Sequence, residues 1–379
     1  MGGFGLYLHW PFCEAKCPYC DFNSHVAREI DESAWHRAYI SEIRRYAELL
    51  PNRVLNTVYF GGGTPSLMSP DLVADLIVEI RKSWPTANDL EITLEANPGS
   101  VEAGRFAAFR AAGVARVSMG VQALNDPDLR RLGRIHTVAE AYKALEIARN
   151  AFDRISFDLI YARQGQSPEA WRTELTEALA LASDHLSLYQ LTIEPGTAFG
   201  DRFARGTLRN LPDEDAGGEM YEITQELCEA AGLPAYEVSN HAKPGAESRH
   251  NLIYWRHGDY VGIGPGAHGR ITLDGRRFAT EAWSQPNAWL ENAAKDKAEK
   301  VTDEIAREDQ ANEMLMMGLR TVEGIDVTRY EALADRALPE MKLAELQDLG
   351  MVRREGPRLT ATSQGRAILN AVLKELILG

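Results

Sequence analysis

The chain has 379 residues, 45% of them apolar and 25% charged, and a net charge of −14. That length holds one large domain and a smaller one. The acidic balance argues against sequence-independent binding to nucleic acid, which rests on Lys and Arg against phosphate, and leaves a small ligand, a basic partner or a peripheral membrane contact open.

Short β-rich runs alternate with amphipathic helices from Leu6 to about His241. The first strand is predicted over 6–8. The stretch His9-Trp10-Pro11-Phe12-Cys13-Glu14-Ala15-Lys16-Cys17-Pro18-Tyr19-Cys20-Asp21-Phe22 follows it. Trp35, Tyr39, Ile43, Tyr46 and Leu50 then fall at helical spacing. A second strand, 54–60, runs into Gly61-Gly62-Gly63-Thr64-Pro65. Ser69-Pro70 opens a helix with Leu72, Leu76, Ile80 and Trp84 on one face. The third strand is predicted over 90–94, ending at Glu95-Ala96-Asn97-Pro98. A short helix around Phe106 and Phe109 stops at Gly113. The fourth strand covers 117–121 and ends at Gln122, the fifth covers 155–161 and carries Asp158, and the sixth covers 186–193.

Six βα units in a row imply an α/β fold with a parallel sheet and right-handed crossovers. Periodicity leaves a barrel and a doubly wound sheet both open, and both place their sites at the C-terminal ends of strands. After about residue 242 the pattern changes: Lys243-Pro244-Gly245 is a break, followed by His250-Asn251-Leu252-Ile253-Tyr254-Trp255 and the glycine-rich 262–268. From about Asp303 a small unit of helices and a hairpin, 351–354 with 358–360, is expected. No window approaches 18 uninterrupted apolar residues and no basic segment precedes an apolar run at the start. The expectation is a cytoplasmic protein with neither transmembrane helix nor signal peptide.

Three of the four cysteines, Cys13, Cys17 and Cys20, sit on one loop, spaced by three residues and then two. Thiolates are metal ligands, and a short loop brings them together at little closure cost. Three cysteines on a [4Fe–4S] cube leave one iron for a substrate or cofactor. The alternative is a structural zinc site completed by His9 or His25. Gly61-Gly62-Gly63-Thr64-Pro65 is either a cradle whose freed N–H groups meet a ligand or a tight turn. Glu95 and Asp158 can accept from hydroxyls or an ammonium, or serve as caps and ion pairs. Arg134 can clamp a carboxylate through its planar fork. Cys228, beside the apolar face of a helix, reads as a buried inert thiol. Gly262-x-Gly264-x-x-Ala267 formally matches a dinucleotide fingerprint but lies outside a first βαβ unit, so that reading is rejected.

The C-x3-C-x2-C spacing resembles the signature of the radical S-adenosylmethionine (SAM) superfamily. There SAM chelates the open iron, and an electron from the cluster cleaves its sulfonium bond to give a 5′-deoxyadenosyl radical. Tyr7-Leu8-His9-Trp10-Pro11-Phe12, the cysteine triad, Gly61-Gly62-Gly63-Thr64-Pro65, Glu95-Ala96-Asn97-Pro98, Gly120-Val121-Gln122 and Asp158-Leu159-Ile160-Tyr161 occur in this order. Together they resemble the oxygen-independent coproporphyrinogen III oxidase branch. The resemblance implies a partial (β/α)6 TIM-like barrel over 1–242. A connecting segment over 243–302 and a small α+β winged-helix-like domain over 303–379 complete the chain. It implies SAM contacts from Tyr7, Tyr19 against the adenine, Gly62, Gly63, Thr64, Glu95, Gln122, Arg134 and Asp158, with Thr192 a looser match.

Oxidases of that branch have a fourth cysteine two positions after the triad and a longer N-terminal segment; here that position is Phe22. Cys-Asp-Phe and His-Asn-x-x-Tyr-Trp are similar to the HemW group of haem chaperones. That similarity implies a protein that binds a [4Fe–4S] cluster, SAM and haem and delivers haem to respiratory proteins. A flavodoxin or ferredoxin is the expected reductant if SAM is cleaved. The alternative is the oxidase itself. A carrier that must release its cargo suits one exposed axial ligand, and His250 is expected in that role, with His257 or His268 as the fallback.

Overall fold

The computed structural model describes residues 2–27 and 29–378; Met1 and Gly379, the outer bounds of the expected domains, lie outside it. Alternation along the strands decides the architecture. In β1 (Phe4–Trp10), Phe4, Leu6, Leu8 and Trp10 are buried on one face of the sheet, and Gly5, Tyr7 and His9 take the other. The same alternation recurs in β2 (Leu55–Gly62), β3 (Thr86–Ala96), β4 (Arg116–Gln122), β5 (Arg154–Tyr161) and β6 (His185–Gln190). Val58, Phe60, Ile92, Leu94, Val117, Met119, Ile155, Phe157, Leu186 and Leu188 fill the apolar layer beneath the helices. Thr57, Thr93, Arg116, Ser118, Ser156, His185 and Ser187 are polar and buried all the same. Strands of a parallel sheet covered on both faces are apolar throughout. A polar inner face therefore marks a lumen.

β1 to β6 pair in parallel in chain order, as expected. The sheet then grows at both edges. β7 (Asn240–Ala242) joins β6 antiparallel. On the other side β8 (Asp259–Ile263) pairs parallel to β1, and β9 (His268–Leu273), β10 (Arg276–Ala282) and β11 (Glu299–Glu304) follow antiparallel. The order β11-β10-β9-β8-β1-β2-β3-β4-β5-β6-β7 has two free ends, so the barrel is partial. The segment 243–302 thus adds three strands and the start of a fourth to the sheet, and its glycine-rich stretch is the turn between β8 and β9.

The helices start and stop for local reasons. The Asp31 carboxylate accepts from Ala34 N–H at 3.2 Å to open α1 (Glu32–Leu49), whose Trp35, Tyr39, Ile43 and Tyr46 are buried. Ser69 caps α2 (Pro70–Ser83), with Pro70 in its first turn. Trp84, expected on the helical face, lies just past its end and packs edge-on against Phe4 at 6.0 Å.

One helix sits where no crossover helix is needed. α3 (Arg249–Trp255) opens on the Ser248 hydroxyl, and the Glu91 carboxylate accepts from the Arg249 N–H at 3.0 Å. Thr57 lies early in β2 and Glu91 is its register partner in β3, so α3 lies across the N-terminal end of the barrel as a floor.

A second core holds the C-terminal unit together: Met314, Leu315, Leu319, Tyr330, Leu343, Leu346, Leu359 and Leu376. α4 (Arg307–Gly318), α5 (Val327–Ala334) and α6 (Glu340–Asp348) pack with the strands β12 (Ile325–Asp326), β13 (Val352–Glu355) and β14 (Arg358–Ala361), in the order β12-β14-β13. The last helix, α7, is Leu369–Leu378.

Candidate functional site

The loop after β1 carries Cys13, Cys17 and Cys20 as free, half-buried thiols. Two of them already have donors. The Thr64 hydroxyl donates to Cys13 Sγ at 3.4 Å, and Arg134 Nη1 lies 3.5 Å from Cys17 Sγ. Burial raises the Cys13 and Cys20 thiols above their ordinary value. Asn97, which sequence reasoning did not single out, closes the ring: its Nδ2 donates to Thr64 Oγ1 at 3.2 Å and its Oδ1 accepts from Arg134 Nη2 at 2.5 Å. Arg134 Nη2 also donates to the Gly120 carbonyl at 2.8 Å. Residues from the ends of β2, β3 and β4 are therefore wired to two cysteines. N–H and O–H donors to thiolate sulfur tune an iron–sulfur centre.

His9 and His25, the candidates for a fourth zinc ligand, are held elsewhere. His9 Nδ1 accepts from Tyr7 OH at 3.0 Å and Nε2 donates to the Asn23 carbonyl at 2.9 Å; His25 Nε2 meets Asn23 Oδ1 at 3.0 Å. Among the described residues no three His, Cys, Asp or Glu side chains converge on a point for a single ion. The donor set fits a cube held by three thiolates better than a zinc site. Gly62 closes on the His9 ring and Gly264 on the His9 backbone. At φ 110° and 115°, a Cβ on Gly62 would stand 2.5 Å from the His9 ring, and one on Gly264 2.3 Å from the His9 carbonyl, so only glycine fits.

Two cavities meet at Tyr7, Glu95 and Tyr254. The upper cleft, of about 360 Å³, lies between the cysteine loop and the β8–β9 turn and takes its walls from His9, Phe22, Asn23, Gly62 and His268. The lower, of about 220 Å³, fills the lumen among Arg116, Ser118, Asp158, His185, Ser187 and His250. Glu95 accepts from Tyr59 OH at 2.8 Å and from the Gly62 N–H at 3.1 Å. Burial pushes its carboxyl up to about 7 and that of Asp158 up to about 6. The inward layer of Arg116, Ser118, His185 and Ser187 was not anticipated. Its signal was the period-two alternation in Arg-Val-Ser-Met-Gly-Val-Gln and His-Leu-Ser-Leu-Tyr-Gln.

The sequence-derived positions distribute unevenly. Tyr7, Gly62 and Glu95 share the upper cleft, and Asp158 joins Tyr7 and Glu95 in the lower one. Thr64 and Arg134 touch the cysteines, and Gly63 lies against the chain leaving β1: its N–H donates to the Trp10 carbonyl at 2.7 Å. Gln122 ends β4 in left-handed backbone, φ 73°. Tyr19 packs on Phe199, ring centroids 6.4 Å apart. Thr192 is exposed beyond β6, which stops at Gln190 rather than 193, and joins none of them.

His250 is corrected as an exposed ligand. It is 1% exposed; Nδ1 meets Thr57 Oγ1 at 2.8 Å and Nε2 meets Tyr254 OH at 2.6 Å. It stacks on Tyr59 at 4.9 Å, and burial lowers its pKa to about 3. The His-Asn-x-x-Tyr-Trp motif is the barrel floor. His257 is buried as well, whereas His268 is exposed at the start of β9. Cys228 is buried, its thiol pushed up to about 12 by desolvation.

Comparison with known proteins gives the family and the fold. The radical SAM superfamily model matches residues 7–176, and that of the HemN C-terminal domain matches 305–368. The Escherichia coli protein named heme chaperone HemW is 38% identical over 97% of this chain and 97% of its own length. The mitochondrial radical S-adenosyl methionine domain-containing protein 1 of Bos taurus is 37% identical over 98% of this chain and 87% of its own. The solved structure of Escherichia coli coproporphyrinogen III oxidase (HemN) covers 99% of this chain and 90% of that one at a TM-score of 0.82 and 22% identity, which is a likeness of fold.

Proposed function

This chain belongs to the radical SAM superfamily, and on that premise we propose that it is a haem chaperone, carrying haem to haem-dependent respiratory proteins in the cytoplasm. Membership implies a [4Fe–4S] cluster and SAM. Cys13, Cys17 and Cys20 would hold three irons of the cluster and leave the fourth to SAM; if SAM is cleaved, the cluster would supply the electron and a flavodoxin or ferredoxin would be the external reductant. The rest is done by this chain's own groups. Thr64 and Arg134 hydrogen-bond two of the ligand sulfurs. Glu95 fixes the glycine turn through the Gly62 N–H, and Tyr7 and Asp158 line the lumen beside it.

The observation that carries the chaperone reading over the oxidase is Phe22. Where the oxidases have a cysteine, this chain puts an aromatic ring, 58% exposed, on the wall of the cleft beside the cluster loop. An exposed apolar ring offers a face to a porphyrin and no ligand to a metal. The name of the 38% identical relative supports the same reading. The test is anaerobic reconstitution followed by two assays side by side. Haem should bind stoichiometrically, and coproporphyrinogen should not be consumed above background with SAM and reductant present. Stoichiometric carbon dioxide release would overturn the chaperone reading in favour of the oxidase.

A further inference from the structure

The geometry points to His268 as the axial ligand of haem iron, with the porphyrin seated in the upper cleft against Phe22; this rests on the haem-carrier reading. A neutral imidazole ligates haem iron only through a ring nitrogen that is accessible and not already committed. The nine histidines can be sorted by that requirement. His9, His136, His185, His241, His250 and His257 are buried. His25 holds Asn23 through Nε2 and does not line the cleft. His36 lies on α1, away from the cleft, with Nε2 3.5 Å from Asp75. His268 is exposed, and among the described residues neither of its ring nitrogens takes part in a hydrogen bond. It also lines the cleft whose other walls include Phe22.

The surroundings suit a flat apolar cargo. Phe22 on the cysteine loop and Tyr260 and Ala267 on the β8–β9 side give the cleft apolar walls. The cleft is open to solvent, and its 360 Å³ accepts part of a porphyrin and leaves the remainder outside. One ligand with a partly covered ring is what a carrier needs to release haem. His268 begins β9, whose register is pinned opposite β10 through Glu281, so the imidazole is presented from a fixed backbone. The wall is shared with the cysteine loop because Asn23 Nδ2 donates to the carbonyls of Pro265 and Ser284, both at 2.8 Å.

The experiment uses the untagged, full-length chain, reconstituted with its cluster and titrated with haem while the Soret band is followed. His268→Ala should weaken haem at least tenfold and shift the band, and millimolar imidazole should restore the parent band. Phe22→Ala should weaken binding with the band position unchanged, because it removes packing and not ligation. His36→Ala, a half-buried histidine outside the cleft, should behave as the parent. A parent that binds haem together with a His268→Ala variant of equal affinity and spectrum overturns the ligand assignment alone. A parent that binds no haem overturns both the assignment and the carrier reading on which it rests.

Discussion

At Glu95, burial raises the carboxyl from 4.5 to about 7 even though Tyr59 and the Gly62 N–H donate to it. A carboxyl whose folded pKa lies above its unfolded value binds more protons in the native state. Its stabilising contribution is therefore complete below about 4.5 and lost as pH rises through about 7. Glu95→Gln, neutral at every pH, should flatten the apo protein's loss of stability between pH 5 and 8, by roughly 1–3 kcal/mol at the alkaline end. Urea midpoints across that range decide it, and equal slopes in the two proteins would refute it. Asn97 is a separate case. Asn97→Ala cuts the link between Thr64 and Arg134 while leaving every cysteine in place. SAM affinity should fall about tenfold, about 1.4 kcal/mol, with iron content unchanged; calorimetry and iron analysis on one preparation separate the two. The cysteines, Gly62 and Glu95 were legible because motif and strand end coincide at them. Asn97 stood inside a quoted motif without a role, since only the fold brings Arg134 to it.

The floor helix α3 shows why a motif can be recognised and its role misread. His-Asn-x-x-Tyr-Trp is aromatic and polar, and on a loop it would offer its imidazole to solvent. The fold instead buries it against Thr57 and Tyr254. His250→Ala strips both of those partners and the stack on Tyr59. A loss of about 2–4 kcal/mol is expected, in the range of buried networks broken at one member. The denaturant midpoint should fall with the slope unchanged; an undisturbed midpoint would falsify the floor assignment. Elsewhere the six parallel strands were visible in runs such as Val58-Tyr59-Phe60 and Ile92-Thr93-Leu94. The early start of β3 at Thr86 was hidden by Asn88-Asp89, residues depleted in strands, which are tolerated here because the strand's first residues lie near the surface. The antiparallel edge β9–β11 was hidden because the glycine-rich link before it reads as a break in structure, not as a tight turn within a sheet.

On the scale of the molecule, the two cores are joined at the end of the floor helix. Arg256 pairs with Glu323, and Arg329 Nη1 donates to the Arg256 carbonyl at 3.3 Å. Arg320 stands over the Trp255 ring at 5.2 Å. The C-terminal unit thus leans on the element that underlies the lumen. At the opposite end of the barrel, Asn23 ties the cysteine loop to the β8–β9 side, so Asn23→Ala should speed loss of iron to a chelator several-fold while leaving thermal stability close to the parent's. Monitoring the cluster's visible absorbance during chelation tests this, and an unchanged rate would remove the tether from the account. The same tether orders events during synthesis. β1 is made first, yet one of its two neighbours in the sheet is 259–263, and the carbonyls that hold Asn23 belong to Pro265 and Ser284. A nascent chain still lacking those residues has an exposed strand edge and a slack cysteine loop, however long the ribosome pauses. Iron insertion must then wait until Ser284 has left the exit tunnel. In ribosome-stalled chains of increasing length, Cys13, Cys17 and Cys20 should be alkylated quickly up to that point and slowly beyond it.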